Sequence, residues 1–554
     1  MSLPVFSTQA ELFSTAGLSR QLFDDKDRYR LFARKVYPAL AKARAKLEAC
    51  YCADNGRVAV EPVLLLGVSL LQYLESVPDR QAVDLLHYHA GWNFALNRNV
   101  GDELFHHTTL VNFRQRLEEH DLSAIGFETV LEALIQAGLV SRQSRQRLDS
   151  TQMFGRVSRM SRLDCVRESL RLALEELARQ LQAEQRPEWW PLLWDRHVDS
   201  QTDYRASQET LARKFTEVGA DAQQVLVWLA TPQAKGLAQG TQAKLLARVF
   251  AEQFEVVAAT GVSQPKTKEQ LDSDRVQNPH DPDATYASKG QGEKRKEHVG
   301  YKVQVAETVT EASLAPGEPT SNFISGIVTH RALESDEEGA IKMEVEQKAM
   351  GLEKPPVQYV DAAYVSALEL VKAASENREL IGPAPAPGSK NDGRFTSEQF
   401  NVMVQDRKAV CPAGKENSQC SRLEEKATGK VSYRFEWDSS TCGQCPLRQQ
   451  CFMDTHAHRT LAVGEYHTIL QARRLEQKTD PFKERMKHRN AIEGTQSELI
   501  RAHGMRRARY CGLAKARLQN YFAGAACNIK RWMRRAVWEM ENALNAQAGA
   551  AKAS

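Results

Sequence analysis

Three acidic residues stand where catalytic carboxylates are commonly found. Asp149 lies inside the predicted strand "RLDSTQMF", and Asp361 follows the apolar stretch Val357–Val360, before a predicted turn and helix. In open α/β sheets, catalytic sites gather at the carboxyl ends of strands, and a buried aspartate is costly unless it binds a cation or accepts hydrogen bonds. Glu493 lies in the basic stretch "KHRNAIEGTQSELIRAHGMRRARY". Each acid also has an ordinary explanation: an exposed strand face, a turn cap and an i,i+4 ion pair, respectively.

The helix that carries Glu493 links these acids to one chemistry. Arg489, Glu493, Ser497 and Arg501 fall on one helical stripe. If that stripe faces the sheet edge that bears the two aspartates, three carboxylates converge, and such a cluster requires divalent cations. Oxygen ligands of this kind suit Mg²⁺ or Mn²⁺. Two such ions about 3.5–4 Å apart would activate a water or a 3′-hydroxyl for attack on a phosphodiester, and the flanking arginines would hold phosphates.

The charge of the chain is unevenly distributed. Residues 471–536 contain 17 Lys or Arg and 5 Asp or Glu, a net charge of +12, whereas the whole chain has +4, so the remainder carries −8. A basic face on a mildly acidic protein indicates a polyanionic partner, with nucleic acid favoured over the alternative of a solvated helical surface. The arginines that we expect to contact DNA from this region are Arg489, Arg501, Arg506, Arg507 and Arg509.

Two further segments are candidates for DNA contact. The loop "SKGQGEKRKEH" carries Lys289, Lys294 and Arg295 beside glycines, and flexible basic loops contact DNA backbones without sequence preference. A solvated hairpin is the alternative. The predicted helix "HHTTLVNFRQRLEEHD" should point Arg114 and Arg116 outward, where they would contact DNA or merely cover a packed helical domain.

Five of the ten cysteines lie between residues 411 and 451. Cys411, Cys442, Cys445 and Cys451 have the spacing C-x30-C-x2-C-x5-C, with one tight pair. Four thiolates that bind a structural Zn²⁺ are the favoured interpretation, and reduced cysteines that pack in a β-rich insert are the alternative.

Composition limits the class of protein. A hydrophobic fraction of 42% and a charged fraction of 26% are ordinary for a globular protein of several domains. The longest apolar run, Val63–Leu74, is too short to span a bilayer, which needs roughly 20 residues. The sequence starts without the basic and apolar pattern of a secretory signal, so we expect a cytoplasmic protein with no membrane partner.

Hydrophobic periodicity predicts helices before residue 140, then a strand, a helical block, a mixed α/β sheet with antiparallel strands first and a parallel βαβ unit after, and C-terminal helices. The expected division is a helical DNA-binding domain (1–140), a first core strand (141–160), a helical insertion (161–270), the sheet core (271–392), a cysteine-rich insert (393–462), C-terminal core helices with the glutamate (463–545) and a disordered tail (546–554).

A set of motifs resembles a known family over nearly the whole chain. They are "FHHTTLVNFRQRL", "LDST", "DPDATYASKG", "VGYKVQV", "YVDAAYVS", "CPAGK", "CGQCPLRQQC", "RNAIEGTQSEL", "HGMRRARYCGL" and "NIKRW". Together they resemble bacterial insertion-sequence transposases of the DDE type, which have an RNase H-like α/β core and an N-terminal helical domain.

The resemblance implies a function. Asp149, Asp361 and Glu493 would be the first, second and third acids of a catalytic triad that binds two Mg²⁺ or Mn²⁺ ions. The separations of 212 and 132 residues are long, and the two insertions account for the excess. The partners would be double-stranded DNA, as terminal inverted repeats and target, and at least one further copy of the chain. The expected location is the nucleoid of a bacterial cytoplasm.

Two positions depart from the family pattern. Met486 stands where a tyrosine is frequent, three residues before Arg489, and Ile500 stands where a lysine is common, seven residues after Glu493. Arg501 would substitute for that lysine in contacting the DNA end. These departures support one alternative function, a catalytically silent protein that binds DNA ends on the same scaffold.

Overall fold

The structure is a computed structural model. It describes residues 3–4, 22–52, 58–99, 101–200, 207–290, 292–310, 317–386, 393–426, 429–453 and 455–553, and for residue 294 and residues 544–553 it describes the backbone alone. Within this part of the chain, no helix combines the length and the apolar character needed to cross a bilayer.

The N-terminal part is helical, as predicted. Its helices are α1 (Arg28–Leu31), α2 (Tyr37–Ala41), α3 (Arg44–Glu48), α4 (Pro62–Glu75), α5 (Asp79–Tyr88), α6 (Ala90–Ala95), α7 (Thr108–Glu119) and α8 (Ile125–Gln136). Helix α4 begins with Pro62, and the carboxylate of Glu61 accepts a hydrogen bond from the Val63 N–H at this end. Because α4 is apolar on nearly every side, its neighbours surround it and it forms the centre of this region.

A mixed sheet follows. Its strands are β1 (Gln146–Phe154), β4 (Thr285–Lys289), β5 (Lys296–Thr308), β6 (Ile324–Arg331), β7 (Val357–Tyr359) and β8 (Glu379–Ile381). Strand β5 pairs antiparallel with β1 along one edge and with β4 and then β6 along the other. On the far side of β1, β7 and β8 continue the sheet in parallel. The predicted antiparallel and then parallel arrangement is confirmed.

Helices cover this sheet. They are α13 (Asp336–Ala349), α14 (Ala367–Ser375), α17 (His467–Glu476), α18 (Asp480–Asn490), α19 (Ile492–Ala502) and α20 (Leu513–Ala553). The long helix α20 contacts β6, α4 and α8, and Phe522 stacks on Tyr73 of α4 with ring centroids 5.5 Å apart. One hydrophobic core therefore joins the N-terminal helices to the sheet.

Two segments interrupt this core. Between β1 and β4 lie α9 (Arg162–Ala178), α10 (Trp190–Trp194), α11 (Gln208–Leu229), α12 (Thr241–Gln253) and the short hairpin of β2 (Phe254–Val256) and β3 (Ser263–Pro265). They pack around their own hydrophobic cluster, which includes Leu170, Val225 and Leu246.

The second segment contains β9 (Asn401–Met403), β10 (Lys408–Val410), β11 (Gln419–Glu424), β12 (Val431–Glu436), α15 (Ser439–Gly443), α16 (Arg448–Cys451) and β13 (Thr460–Gly464). Strands β11, β12 and β13 form an antiparallel sheet, and Phe400, Phe435 and Trp437 lie in a separate small core. It bears the clustered cysteines.

Two predictions about the C-terminal helices were wrong. A continuous helix was expected over about 479–502, but α18 ends at Asn490 and α19 begins at Ile492. The Arg147 guanidinium donates to the His488 carbonyl over 3.0 Å, and this is the carbonyl that would accept the Ile492 N–H in an unbroken helix. The tail expected to be disordered from residue 546 has a helical backbone up to Ala553.

Candidate active site

The pairing of two parallel strands places the two aspartates side by side. Arg147 of β1 is opposite Tyr359 of β7, and this is where their pairing ends. Asp149 and Asp361 each lie two residues beyond that last pair, so both are at the same edge of the sheet. Successive side chains of a strand alternate between its two faces. Because both aspartates lie the same number of residues beyond the last pair, their carboxylates lie close to each other at this edge.

The two aspartates differ in burial and in hydrogen bonding. Asp149 is 8% exposed, and its Oδ1 accepts the Ser150 N–H over 2.8 Å. The Asp361 side chain is 38% exposed, and its Oδ1 accepts the Ala363 N–H over 2.9 Å, which caps a short 3-10 turn. The turn cap considered as an ordinary explanation is thus present, but it uses one oxygen and leaves Oδ2 available.

Arg489 brings the third acid to this edge. Its Nη2 lies 2.8 Å from Asp149 Oδ2 and 3.9 Å from Asp361 Oδ2, and its Nη1 lies 3.4 Å from Glu493 Oε1. The i,i+4 pair with Glu493 is therefore real, but the same guanidinium also contacts both aspartates. All three carboxylates contact one guanidinium, but within the described residues their oxygens do not all lie within 4.8 Å of one another.

The pKa of Asp149 is shifted by its burial and by the acids around it. Burial raises the pKa of Asp149 to about 6, Arg489 opposes this shift, and Asp361 and Asp336 add to it. A buried carboxylate with acidic neighbours favours a cation as its partner. The three carboxylates supply hard oxygen ligands, one of them on a flexible, exposed Glu493 side chain, and this donor set fits Mg²⁺ or Mn²⁺.

Sequence reasoning missed two neighbours of Asp149. Asp336, the first residue of α13, acts on its pKa, and the hydroxyl of Tyr364 is buried near it, with a pKa that burial raises well above its usual value. Asp336 follows Ser335 in a capping box, so its sequence context indicates only a helix start. No sequence signal distinguishes it from an ordinary first-turn acid.

A buried ionic network holds the helix of Glu493 against the sheet. Glu307 of β5 is opposite Arg147, whose Nε lies 2.6 Å from Glu307 Oε2. The other oxygen of Glu307 contacts Arg531 of α20 and accepts the Thr495 hydroxyl of α19 over 2.8 Å. Arg531 also reaches Glu498 of α19 at 3.1 Å. The network therefore joins β1, β5, α19 and α20, and its Arg147 lies two residues before Asp149 on β1.

Three of the predicted DNA-contacting arginines are exposed on α19 and on the loop that follows it. Arg501, Arg506 and Arg507 are exposed. The loop of Arg506 and Arg507 docks on the end of β1, where the Phe154 N–H donates to the Arg506 carbonyl over 2.9 Å and the Ala508 N–H donates to the Phe154 carbonyl over 2.8 Å. Two of the predicted DNA contacts are thus at the end of the strand that carries an aspartate.

One of the N-terminal arginines contradicts its prediction. Arg114 was expected to face outward, but it is 6% exposed and forms two hydrogen bonds with the Asp79 carboxylate, at 2.5 and 3.0 Å. A buried guanidinium needs such a charged partner. Because Asp79 lies on another helix, the spacing of apolar residues in α7 could not predict this pair. Arg116 is half-buried over the Tyr51 ring, 4.7 Å from its centroid.

The remaining predicted DNA contacts vary in exposure. Arg509 is half-buried, with its guanidinium 4.5 Å from the centroid of Tyr73. Lys289 is exposed at the tip of the β4–β5 hairpin, and the exposed Arg295 donates to the Tyr286 hydroxyl over 2.9 Å. The side chain of Lys294 lies outside the described residues.

The four predicted zinc ligands lie in one region of the insert. Burial raises the pKa of Cys451 to about 11, and Cys442, Cys411 and Cys445 are near enough to add to the shift. The Lys415 N–H donates to Cys411 Sγ over 3.4 Å. Within the described residues, no three of these sulfur atoms lie within 4.8 Å of one another.

A different group of possible ligands lies between α19 and α20. Atoms of Glu498, His503 and Cys527 are within 4.8 Å of one another. Burial raises the pKa of Glu498, but Lys530 and Arg531 outweigh it and lower that pKa to about 2, and burial raises the pKa of Cys527 to about 12. With two cations already on the carboxylate and a protonated thiol, this group is suited to hydrogen bonding rather than to a divalent cation.

Comparisons with protein families identify two regions. Residues 19–116 match the family model of a transposase domain (DUF772), and residues 410–533 match that of a transposase DDE domain. The second match includes Glu493, whereas Asp149 and Asp361 lie outside both. No curated protein matches the chain. The mixed sheet, with its helical N-terminal region, is consistent with an RNase H-like DDE core. The two matches show a transposase domain (DUF772) followed by a transposase DDE domain, the arrangement of an insertion-sequence transposase.

Proposed function

We propose that this transposase binds the terminal inverted repeats of an insertion sequence, cleaves the DNA at those ends and joins the ends to target DNA. The observation that carries the proposal is the convergence of Asp149, Asp361 and Glu493 within 4 Å of one guanidinium, that of Arg489. Carboxylates from two adjacent strands and a helix would otherwise repel one another, and their arrangement suits a cation-dependent reaction on phosphodiesters.

The acids would divide the work by position. Asp149 and Asp361, fixed by backbone hydrogen bonds at adjacent strand ends, would hold two Mg²⁺ or Mn²⁺ ions, and Glu493 would complete the set from α19. When bound, the ions supply an activated water or 3′-hydroxyl and stabilise the leaving oxygen. The network of Glu307 and Arg531 keeps α19 at a fixed distance from the strands.

Exposed arginines of α19 and of the following loop would hold the DNA. Arg501, Arg506 and Arg507 are exposed, and guanidinium groups bind phosphate oxygens through paired hydrogen bonds. Arg489 would join them as a phosphate ligand. Arg501 is exposed and adjacent to Ile500, so it would replace the lysine that the family often has there.

The hairpin with Lys289 and Arg295 would add contacts to the backbone of the duplex. Arg509 and Arg116 would act through their aromatic partners, Tyr73 and Tyr51, by fixing neighbouring segments. Because the chemistry acts on paired ends, we expect at least a dimer on DNA. We place the reaction on the bacterial nucleoid.

A catalytically silent protein that binds DNA ends remains the second candidate, since Met486 and Ile500 depart from the family pattern. Incubation of the purified protein with labelled terminal repeats and Mn²⁺ separates the two functions. The proposal expects nicks that leave 3′-hydroxyl ends, followed by their joining to a target. Tight binding without any nick, in Mn²⁺ and in Mg²⁺, would favour the silent protein. Nicks whose ends never join would indicate a two-metal nuclease.

We further propose that Cys411, Cys442, Cys445 and Cys451 bind one structural Zn²⁺. The proximity of Cys442, Cys411 and Cys445 to Cys451 and the Lys415 N–H on Cys411 support this. Small side-chain rotations would have to bring the sulfur atoms to their ligating spacing. The buried core of the insert is small, so bound metal would add substantially to its stability.

Elemental analysis should therefore find about one Zn²⁺ per chain, as expected for a four-thiolate site. Replacing Cys445 with Ser should remove the metal and open the insert to limited proteolysis, because three ligands bind less tightly than four. Cys420, a partly buried cysteine of the same insert, provides the matched control, and Cys420→Ser should retain zinc. A folded wild-type protein without zinc would refute the site.

A further inference from the structure

The guanidinium of Arg489 lies in the space that the three acids enclose. Its two terminal nitrogens contact Asp149, Asp361 and Glu493 over 2.8 to 3.9 Å. The side chain is 17% exposed, and its Nε is buried without a hydrogen-bond partner. The guanidinium donates hydrogen bonds to Asp149 and Glu493, but one buried donor stays unsatisfied, which is costly.

A divalent ion and this guanidinium compete for the same oxygens. Asp149 Oδ1 already accepts the Ser150 N–H and Asp361 Oδ1 the Ala363 N–H, so Oδ2 of each aspartate is the oxygen left for a cation. Arg489 contacts both of those Oδ2 atoms. As long as Arg489 contacts these oxygens, they are not free to coordinate a divalent ion. The positive charge of the guanidinium would also repel that ion.

The interruption of the helix next to Arg489 would allow this side chain to move away from the three acids. It lies in the last turn of α18, whereas Glu493 lies in the first turn of α19, and the hydrogen-bond ladder is interrupted between them at Ala491. A DNA phosphate beside the acids would offer the departing guanidinium a bidentate partner of opposite charge.

We propose that Arg489 is a displaceable internal cation, which neutralises the three acids in the absence of DNA and gives them up to divalent ions when a DNA phosphate receives its guanidinium. This inference rests on the proposed function, and it adds a coupling: DNA and metal should each tighten the binding of the other, by the same factor.

The test measures Mn²⁺ binding to the full chain without DNA, from the electron paramagnetic resonance signal of free Mn²⁺. Arg489→Gln should bind Mn²⁺ at the triad about tenfold more tightly than the wild type, within the usual range of coupling between sites. Lys487→Gln is the matched control, because it removes the same charge from the same helix at a side chain that is 67% exposed and paired with Glu484. It should change the affinity less than about twofold, since exposed charges are screened.

A linear DNA duplex of arbitrary sequence completes the experiment. The duplex should tighten Mn²⁺ binding to the wild type and should leave the Arg489→Gln affinity unchanged. If Arg489→Gln does not fold, Arg489→Lys is used instead. A single ammonium group cannot contact three carboxylates as the forked guanidinium does, so Arg489→Lys should bind Mn²⁺ more tightly than the wild type.

The outcomes distinguish this inference from the proposed function. Equal Mn²⁺ affinities of the wild type and Arg489→Gln, or a weaker affinity of the variant, would overturn the displaceable cation while leaving the triad in place. An affinity that Asp361→Asn does not reduce in any of these proteins would overturn the triad, and the inference with it.

Discussion

Replacing Asp361 with Asn is expected to abolish DNA cleavage and to leave binding of the DNA ends intact. We expect the cleavage rate to fall by about a hundredfold to a thousandfold, the loss typical when a group that stabilises developing charge is removed. The substitution removes the charge of the carboxylate but retains an oxygen that can accept the Ala363 N–H, so the turn after β7 should persist. Cleavage of labelled terminal repeats in Mg²⁺ and a gel-shift assay measure the two properties.

The matched control for this substitution is Asp480→Asn. Asp480 is an acid on α18 whose side chain is 91% exposed and paired with Lys483, so it lies on the helix of Arg489 but takes no part in the site. This variant should cleave at the wild-type rate. Survival of cleavage in Asp361→Asn would show that the three acids are not the catalytic set.

The largest expected effect on stability comes from Glu307→Ala. The carboxylate of Glu307 is fully buried between Arg147 and Arg531, which are themselves about 4% exposed. Its removal leaves two buried guanidinium groups without their shared partner, and breaking a buried pair in this way costs about 3–5 kcal/mol. The midpoint of denaturant unfolding, followed by circular dichroism, should fall accordingly.

An exposed ion pair supplies the comparison. Glu541 pairs with Lys26 at 2.9 Å, and both side chains are nearly half exposed. Glu541→Ala should cost less than about 1 kcal/mol, the usual value of a surface pair. If Glu307→Ala were no more destabilising than Glu541→Ala, the network would not be what holds α19 to the sheet.

The sequence predicted that two aspartates lie at one edge of the sheet, because the pattern that indicates each of them spans only a few residues. An aspartate inside an alternating strand and another at the end of an apolar run are visible in a few residues, and strand pairing then brings them together. Glu493 was recognisable because an acid within a basic stretch is unusual, and the motifs around it resemble those of a transposase family.

Other parts of the site depend on contacts between distant segments. The break at Ala491 has no glycine or proline to signal it; it follows from Arg147, more than 300 residues earlier, which binds the His488 carbonyl. In the same way, Arg114 is paired with Asp79, and helical periodicity alone placed it on the surface. Long-range ion pairs of this kind leave no pattern in a single sequence.

Anomalous diffraction from crystals of the protein with a DNA duplex and Mn²⁺ would show, without reference to activity, whether the three acids bind the ions. We expect anomalous peaks in contact with Asp149, Asp361 and Glu493, with the Arg489 guanidinium turned toward a phosphate. Manganese that binds at Glu498 and His503 instead, with the three acids still closed around Arg489, would contradict this expectation.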